Sequence, residues 1–142
     1  SGHCCFYESG DQVLFSGDNI LGYGTAVIRP PDGNMTDYLK SLERLLEFNI
    51  RLVLPGHGPL VGKPEAKIKE YIEHRMMREK QVLDALNKGR NTIGDITEMI
   101  YVGVSPALQK VAEFSVQAHL EKLIREGRVK SEGGRYLLLR NN

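Results

Sequence analysis

The sequence has little cysteine, no tryptophan, no long apolar run and almost no excess of either charge. Its two cysteines, Cys4 and Cys5, are adjacent, so they cannot form an ordinary disulfide framework, and we expect a reducing compartment. The 19 Lys and Arg residues nearly balance the 18 Asp and Glu residues, which excludes a strongly basic nucleic-acid coat. Apolar runs such as residues 52–54 are too short to span a bilayer. We therefore expect an intracellular globular protein, cytoplasmic or in the mitochondrial matrix, with no membrane partner.

The charge and the hydrophobic pattern both change partway along the 142 residues. Residues 1–65 contain 5 Lys and Arg against 8 Asp and Glu, whereas residues 66–142 contain 14 against 10. The first part has short apolar runs broken by Gly and Pro, and the second part has long helical patterns. We therefore predict one domain over residues 1–64 and a second over residues 65–142, which begins with a long helix.

The first domain has the pattern of an α/β layer. Three short apolar runs, at residues 4–7, 13–15 and 52–54, predict strands. Between the second and third runs, apolar residues recur at the spacing of one helix face: Tyr38, Leu39, Leu42, Leu45 and Leu46. The order strand, strand, helix, strand predicts helices packed on a small sheet.

The second domain has the pattern of a winged helix. A long helix is predicted over residues 65–86, with an apolar stripe that includes Met76 and is interrupted at Glu79. Thr92 and Asp95 resemble a capping box for a short helix, and a third helix is predicted over residues 108–126. Two strand candidates, residues 128–130 and 135–139, flank a Gly-Gly turn that is typical of a hairpin.

A winged helix has two common uses, and both stay open. It can contact nucleic acid through its third helix and through wing residues such as Lys130 and Arg135. It can also serve as a packing or dimerisation module, and a homodimer is one alternative. The third helix mixes Lys122 with several Glu residues, so we expect a solvent-exposed face, and we expect the same of Arg75 on the long helix.

Two side chains in the first domain point to metal chemistry. Asp18 follows the strand candidate at residues 13–15, and His57 follows the one at residues 52–54 within the segment PGHGP. A carboxylate and an imidazole at the carboxyl ends of strands suit a divalent metal such as zinc. Each signal is weak alone, because Asp after Gly is common in turns, but their combination predicts a metal site.

The same segments resemble the metallo-β-lactamase superfamily. The similarity lies in LFSGDNILGYGT at residues 14–25, DYLKSL at 37–42, LPGHGP at 54–59, and EAKI and YIEHR at 65–68 and 71–75. Together with the winged helix, they are similar to the β-lactamase-like protein 2 subfamily. This resemblance implies an α+β chain: the C-terminal half of a metallo-β-lactamase αββα sandwich, followed by a winged-helix domain.

The resemblance also implies an activity and a set of ligands. Members of the superfamily are metal-dependent hydrolases, usually with zinc, and the animal member of the subfamily is an endoribonuclease on single-stranded RNA. By the same resemblance, Asp18 is the aspartate that bridges two metals and His57 is a ligand of the second metal. His3 is a candidate third ligand, but its 15-residue offset from Asp18 fits a second histidine of the family pattern that is not a ligand, and both alternatives stay open. A thioester or lactone hydrolase acting on a small ester-type substrate is the alternative, and a nucleic-acid-binding winged helix is another.

One departure from the family pattern limits the expected activity. The superfamily motif His-x-His-x-Asp-His, which supplies most of the metal ligands, is absent from these 142 residues. A catalytic zinc normally has three protein ligands and a water, and the carried-over ligands are two. We therefore expect the chain to be the C-terminal portion of an enzyme. Alone, it should bind zinc weakly and be inactive, and we assign it no catalytic residue.

Overall fold

The computed structural model describes residues 3–139, which form four helices and five strands in two compact units. The first unit has residues 3–26 and 37–74, and the second has residues 27–36 and 75–139. No helix within the described part of the chain is both long and apolar enough to span a membrane. In chain order, the elements are β1 (Phe6–Glu8), β2 (Val13–Gly17), α1 (Met35–Leu45), β3 (Leu52–Pro55), α2 (Pro64–Asn87), α3 (Ile93–Ile100), α4 (Pro106–Arg125), β4 (Val129–Glu132) and β5 (Arg135–Leu138).

The first unit is built on a three-stranded sheet in the order β1-β2-β3. β1 is antiparallel to β2, whereas β3 is parallel to β2. The connection through α1 returns the chain to the end of the sheet at which β2 begins, so β3 runs in the same direction as β2. One face is buried and includes the register pair Leu14 and Val53. The other face carries the exposed pair Phe6 and Phe15. The predicted apolar face of α1 is confirmed for Tyr38, Leu39, Leu42 and Leu45, which are all buried. Leu46, which was predicted on the same face, lies just beyond the end of the helix and is half-buried.

The second unit has the predicted winged-helix elements. The end of α2, α3 and α4 precede the antiparallel hairpin β4–β5, in which Val129 pairs with Leu138. The predicted cap of α3 is confirmed, because Thr92 Oγ1 accepts a hydrogen bond from the Asp95 N–H at 3.2 Å. The core of this unit is apolar and comes from α2, α3, α4 and β4: Val82, Ala85, Leu86, Ile96, Val116, Leu120, Leu123 and Val129.

Glu79, which interrupts the apolar stripe of α2, is itself buried and lies at the centre of a cluster of charged side chains. Its carboxylate is 2.7 Å from Lys122 Nζ on α4 and 2.9 Å from an Arg128 guanidinium nitrogen just before β4. Lys122 also pairs with Glu126 at 2.7 Å, and the buried His119 imidazole lies 4.0 Å from Glu79. The cluster therefore ties α2 to α4 and to the start of the wing.

Three exposure predictions for the helices were wrong. Lys122 and Arg75 were expected on solvent-exposed faces, but both are buried. Met76 was expected within the buried stripe of α2, but its side chain is exposed. The physical reason for Lys122 is the Glu79 carboxylate on α2, since a lysine can be buried when an opposite charge and hydrogen bonds compensate for the lost water.

Candidate metal centre

The topology of the sheet brings Asp18 and His57 together. Because β2 and β3 are parallel, their carboxyl ends lie at the same edge of the sheet, and Gly17 there pairs with Pro55. Asp18 follows Gly17 directly, and His57 comes two residues after Pro55. His57 Nε2 lies 3.5 Å from Asp18 Oδ1. Both groups are accessible, since the side chains are 80% and 44% exposed for His57 and Asp18.

His3 joins the same edge through the register of the first two strands. β1 and β2 are antiparallel with Phe6 opposite Phe15, so the residues before Phe6 run beside the residues after Phe15. His3 Nε2 lies 3.5 Å from Asp18 Oδ2. Each carboxylate oxygen of Asp18 therefore faces a different imidazole. The sequence left open whether His3 is a ligand, and counting back along the register of β1 on β2 places its imidazole at this carboxylate.

Glycines allow the two loops at this edge to touch through their backbones. The Gly56 N–H donates a hydrogen bond to the Gly17 carbonyl at 2.8 Å, and the Gly22 N–H donates to the His57 carbonyl at 3.0 Å. A Cβ on Gly56 would lie only 3.1 Å from Asp18 Oδ1. Gly58 has a φ of +88°, and a Cβ there would lie 2.9 Å from Gly22 Cα. Side chains at these positions would push the Asp18 loop and the His57 loop apart.

The loop after Asp18 is anchored by buried hydroxyl groups. Ser16 Oγ donates to the Ile20 carbonyl at 2.8 Å, which closes the turn that carries Asp18. The Tyr71 hydroxyl on α2, fully buried, accepts a hydrogen bond from the Leu21 N–H at 3.1 Å. The same hydroxyl lies 2.7 Å from the Gly24 carbonyl, to which it donates. The position of Asp18 therefore depends on α2 as well as on the strand that precedes it.

Replacing Tyr71 by Phe tests this anchor. The change removes one hydroxyl and leaves the Leu21 N–H and the Gly24 carbonyl without that partner, so we expect a loss of about 1–3 kcal/mol in unfolding free energy. Urea unfolding of the chain measures the loss. Tyr23→Phe is the matched control, because Tyr23 is in the same loop but exposed. Equal stability of the two variants would contradict the anchoring role.

The described residues supply ligand types that zinc accepts, but not a complete site. Zinc binds imidazole nitrogens and carboxylate oxygens, and Asp18, His57 and His3 offer both. Across residues 3–139, however, no three or more His, Cys, Asp or Glu side chains form a group that could hold a metal ion. Cys4 is exposed and Cys5 is half-buried, and within that same range neither belongs to such a group. The assignment of Asp18 and His57 as ligands therefore stays a prediction.

Comparison with known families identifies the chain. Residues 1–57 match the metallo-beta-lactamase superfamily, and residues 92–135 match the beta-lactamase associated winged helix domain. The chain thus belongs to the metallo-β-lactamase superfamily, which includes hydrolases and generally binds metal ions, and it carries the winged helix associated with it. The resemblance and the fold class deduced from the sequence are confirmed.

Relatives place the chain more narrowly. A Caenorhabditis elegans protein described as a beta-lactamase-like protein 2 homolog is 35% identical over 130 residues, which are 91% of this chain and 43% of the relative. An Emericella nidulans protein described as an atrochrysone carboxyl ACP thioesterase is 31% identical over 134 residues, 92% of this chain and 42% of the relative. The crystal structure of a metallo-beta-lactamase family protein from Thermus thermophilus matches with a TM-score of 0.82 at 25% identity. The match covers 97% of this chain and 46% of that protein. The chain spans less than half the length of these relatives.

Proposed function

We propose that this chain is the C-terminal portion of a metal-dependent hydrolase, and that Asp18 and His57 are ligands of its metal, with zinc as the expected ion. The observation that carries the proposal is the arrangement at the sheet edge, where an accessible carboxylate lies within 3.5 Å of an imidazole. Both side chains follow parallel strands whose ends fix their separation. Binding residues on loops held by a rigid sheet are typical of catalytic sites.

The remaining metal ligands belong, in this proposal, to a part of the enzyme outside these 142 residues. Support comes from the lengths, because the chain spans 43% of the Caenorhabditis elegans relative. A divalent ion held by a complete ligand set supplies a Lewis acid and a bound water of lowered pKa. The contribution of this chain is to hold Asp18 and His57 at a fixed spacing. Alone, it binds zinc weakly and is inactive.

Single-stranded RNA is the proposed substrate, and the proposed reaction is endonucleolytic hydrolysis. The support is the resemblance to the β-lactamase-like protein 2 subfamily, for which the family pattern implies this activity. A winged helix in the same chain as a hydrolase domain is consistent with a long, charged substrate, because such modules contact nucleic-acid backbones.

A thioester is the second candidate substrate. It is favoured by the Emericella nidulans relative, which is named an atrochrysone carboxyl ACP thioesterase. A small ester-type substrate would not need cations on the winged helix. The same fold hosts many reactions, so the superfamily alone does not choose between the two candidates.

Substrate assays on the whole enzyme distinguish the two candidates. The enzyme is stripped of metal with a chelator, reloaded with zinc, and given either a fluorescently labelled single-stranded oligoribonucleotide or an acyl-pantetheine thioester. We expect cleavage of the oligoribonucleotide that disappears on chelation and returns with zinc, with little thioester hydrolysis. Rapid thioester hydrolysis without RNA cleavage would instead establish the second candidate. Turnover of either substrate that is unaffected by chelation would contradict metal dependence.

A further inference from the structure

Several cations of the second unit are paired with nearby carboxylates. Lys110 pairs with Glu113 at 3.2 Å and Lys130 pairs with Glu132 at 3.0 Å, while Lys122 and Arg128 belong to the Glu79 cluster. A cation with its own carboxylate contributes little to binding phosphates, because the gain comes from replacing counterions around the nucleic acid. The wing residue Lys130, which the sequence suggested for nucleic-acid contact, is therefore a weak candidate.

Among the exposed cations outside these pairs, which also include Lys80 and Arg125, three lie in the turn before α3 or in the hairpin: Lys88, Arg90 and Arg135. Within residues 3–139, none of the three forms an ion pair with a carboxylate, in contrast to the four cations above. Lys88 and Arg90 lie in the turn between α2 and α3, and Arg135 is the first residue of β5. We call these three residues the wing-turn cluster.

A backbone hydrogen bond holds the two parts of the wing-turn cluster together. The Tyr136 N–H donates to the Asn91 carbonyl at 2.8 Å, and Arg135 and Arg90 directly precede these two residues. The turn itself is fixed, because the Arg90 N–H donates to the Ala85 carbonyl at 3.0 Å at the end of α2. The two guanidinium groups are therefore attached to adjoining backbone segments.

Two carboxylates near the wing-turn cluster form no ion pair with it within residues 3–139. Glu132 is the cross-strand partner of Arg135 in the hairpin, but its carboxylate pairs with Lys130 at 3.0 Å. Burial, and then the Glu121 carboxylate, raise the pKa of Tyr136 above its ordinary value. Glu121 accepts a hydrogen bond from the Gln117 side-chain amide at 3.0 Å, and in the described part of the chain it forms no ion pair with Arg90 or Arg135. The positive charge of the cluster thus remains available beside a half-buried tyrosine.

We propose that the wing-turn cluster binds the phosphodiester backbone of single-stranded RNA, an inference that rests on the proposed RNA substrate. Arginine suits this partner because its planar guanidinium group binds phosphate oxygens through two parallel hydrogen bonds. Recognition through the backbone is independent of base sequence, so the cluster guides the RNA strand without selecting a cleavage sequence.

Fluorescence anisotropy of a labelled single-stranded oligoribonucleotide tests the cluster on this chain. The test variant is Lys88→Gln/Arg90→Gln/Arg135→Gln. The control is Lys67→Gln/Lys69→Gln/Lys110→Gln, which removes the same charge from lysines that each pair with a glutamate away from the hairpin. We expect the test variant to reduce the slope of log affinity against log salt concentration by about 2, at about 0.7 per phosphate contact. The control should leave the slope nearly unchanged, and circular dichroism should show both variants folded.

The outcomes separate this inference from the proposed function. An equal loss of slope in the two variants, or no RNA binding by the chain at low salt, would overturn the inference, whereas RNA cleavage by the whole enzyme would still support the function. If RNA binding depends on the wing-turn cluster but the whole enzyme does not cleave RNA, the proposed binding surface stands and RNA is rejected as the substrate. If polyglutamate displaced the RNA as well as an unlabelled oligoribonucleotide does, an acidic protein partner would replace RNA in the inference.

Discussion

Replacing Asp18 by Ala in the whole enzyme is expected to abolish turnover while leaving the fold nearly intact. Asp18 has one carboxylate oxygen facing His57 and the other facing His3, so the substitution removes the group that both imidazoles face. Loss of a residue that only supports a metal ligand costs about 10–100-fold in activity or affinity, and we expect a larger loss for a ligand itself. The partial exposure of Asp18 predicts little change in stability. Turnover and thermal unfolding, measured on the same preparation, check both parts.

Asp11→Ala is the matched control for this experiment. Asp11 is an exposed aspartate at the opposite end of β2, so its removal changes the charge equally but leaves the proposed site untouched. Retained turnover in Asp18→Ala, or in the companion variant His57→Ala, would rule out the assigned role. Zinc content adds an independent criterion, because tight stoichiometric zinc in this chain alone would contradict the expectation that its ligand set is incomplete.

Replacing Glu79 by Gln is expected to give the largest loss of stability in the winged-helix unit. The substitution removes the negative charge that compensates Lys122, whose side chain is only 10% exposed. Breaking one side of a buried ion pair costs about 3–5 kcal/mol, and we expect about 3 kcal/mol because Lys122 keeps Glu126. Urea unfolding followed by circular dichroism measures the loss.

Glu132→Gln is the control for Glu79→Gln, because its pair with Lys130 is exposed and should be worth less than about 1 kcal/mol. The double variant Glu79→Met/Lys122→Met should recover much of the loss, since it replaces both buried charges with apolar side chains. A stability unchanged by Glu79→Gln would show that the cluster contributes nothing to holding α2 against α4.

The ion pairs around Glu79 also make the free energy of unfolding depend on pH. Although burial raises the pKa of Glu126, hydrogen bonds from Lys122 and Arg128 outweigh it and hold that pKa below its ordinary value. A carboxylate with a lowered pKa stabilises the fold above its unfolded-state pKa, and this stabilisation is lost as pH falls through the folded-state pKa. For Lys122, burial lowers the pKa, but the hydrogen bonds to Glu126 and Glu79 raise it overall. The stabilisation from Lys122 is thus present below the pKa of this lysine in the unfolded chain. It is lost as pH rises through its raised pKa in the folded chain.

The sequence predicted the elements of this chain well because each has a local signal. The long helix, the Thr92 cap and the Gly-Gly hairpin are specified by spacing and by residues within a few positions of one another. The positions of Asp18 and His57 after strands were also local features. The parallel pairing of β2 with β3, which brings the two together, was not predicted, although a strand-helix-strand connection is the kind that parallel strands need.

The predictions that failed concern residues whose contacts come from segments distant in sequence. Glu79 looked like a break in an apolar stripe, but its partners come from α4 and from the residue before β4, far along the chain. Lys122 was misplaced for the same reason, since its own helix contains enough Glu to suggest a solvated face. The pairing of His3 with Asp18 needed the register of β1 on β2, which hydrophobic pattern alone does not give.

The parallel pairing of β2 with β3 determines at which stage of folding the proposed metal site forms. Asp18 and His57 are separated by the whole crossover through α1, and neither loop contains both groups. Pairing of strands distant in sequence is a slow step, because a long loop must close before the contacts form. A peptide with the sequence of either loop therefore contains only one of the two side chains. In a chain that is still being synthesised, Asp18 and His57 come together only after Pro55 pairs with Gly17. The two proposed ligands come together only when the sheet folds, so the distance between Asp18 and His57 indicates whether β2 and β3 have paired.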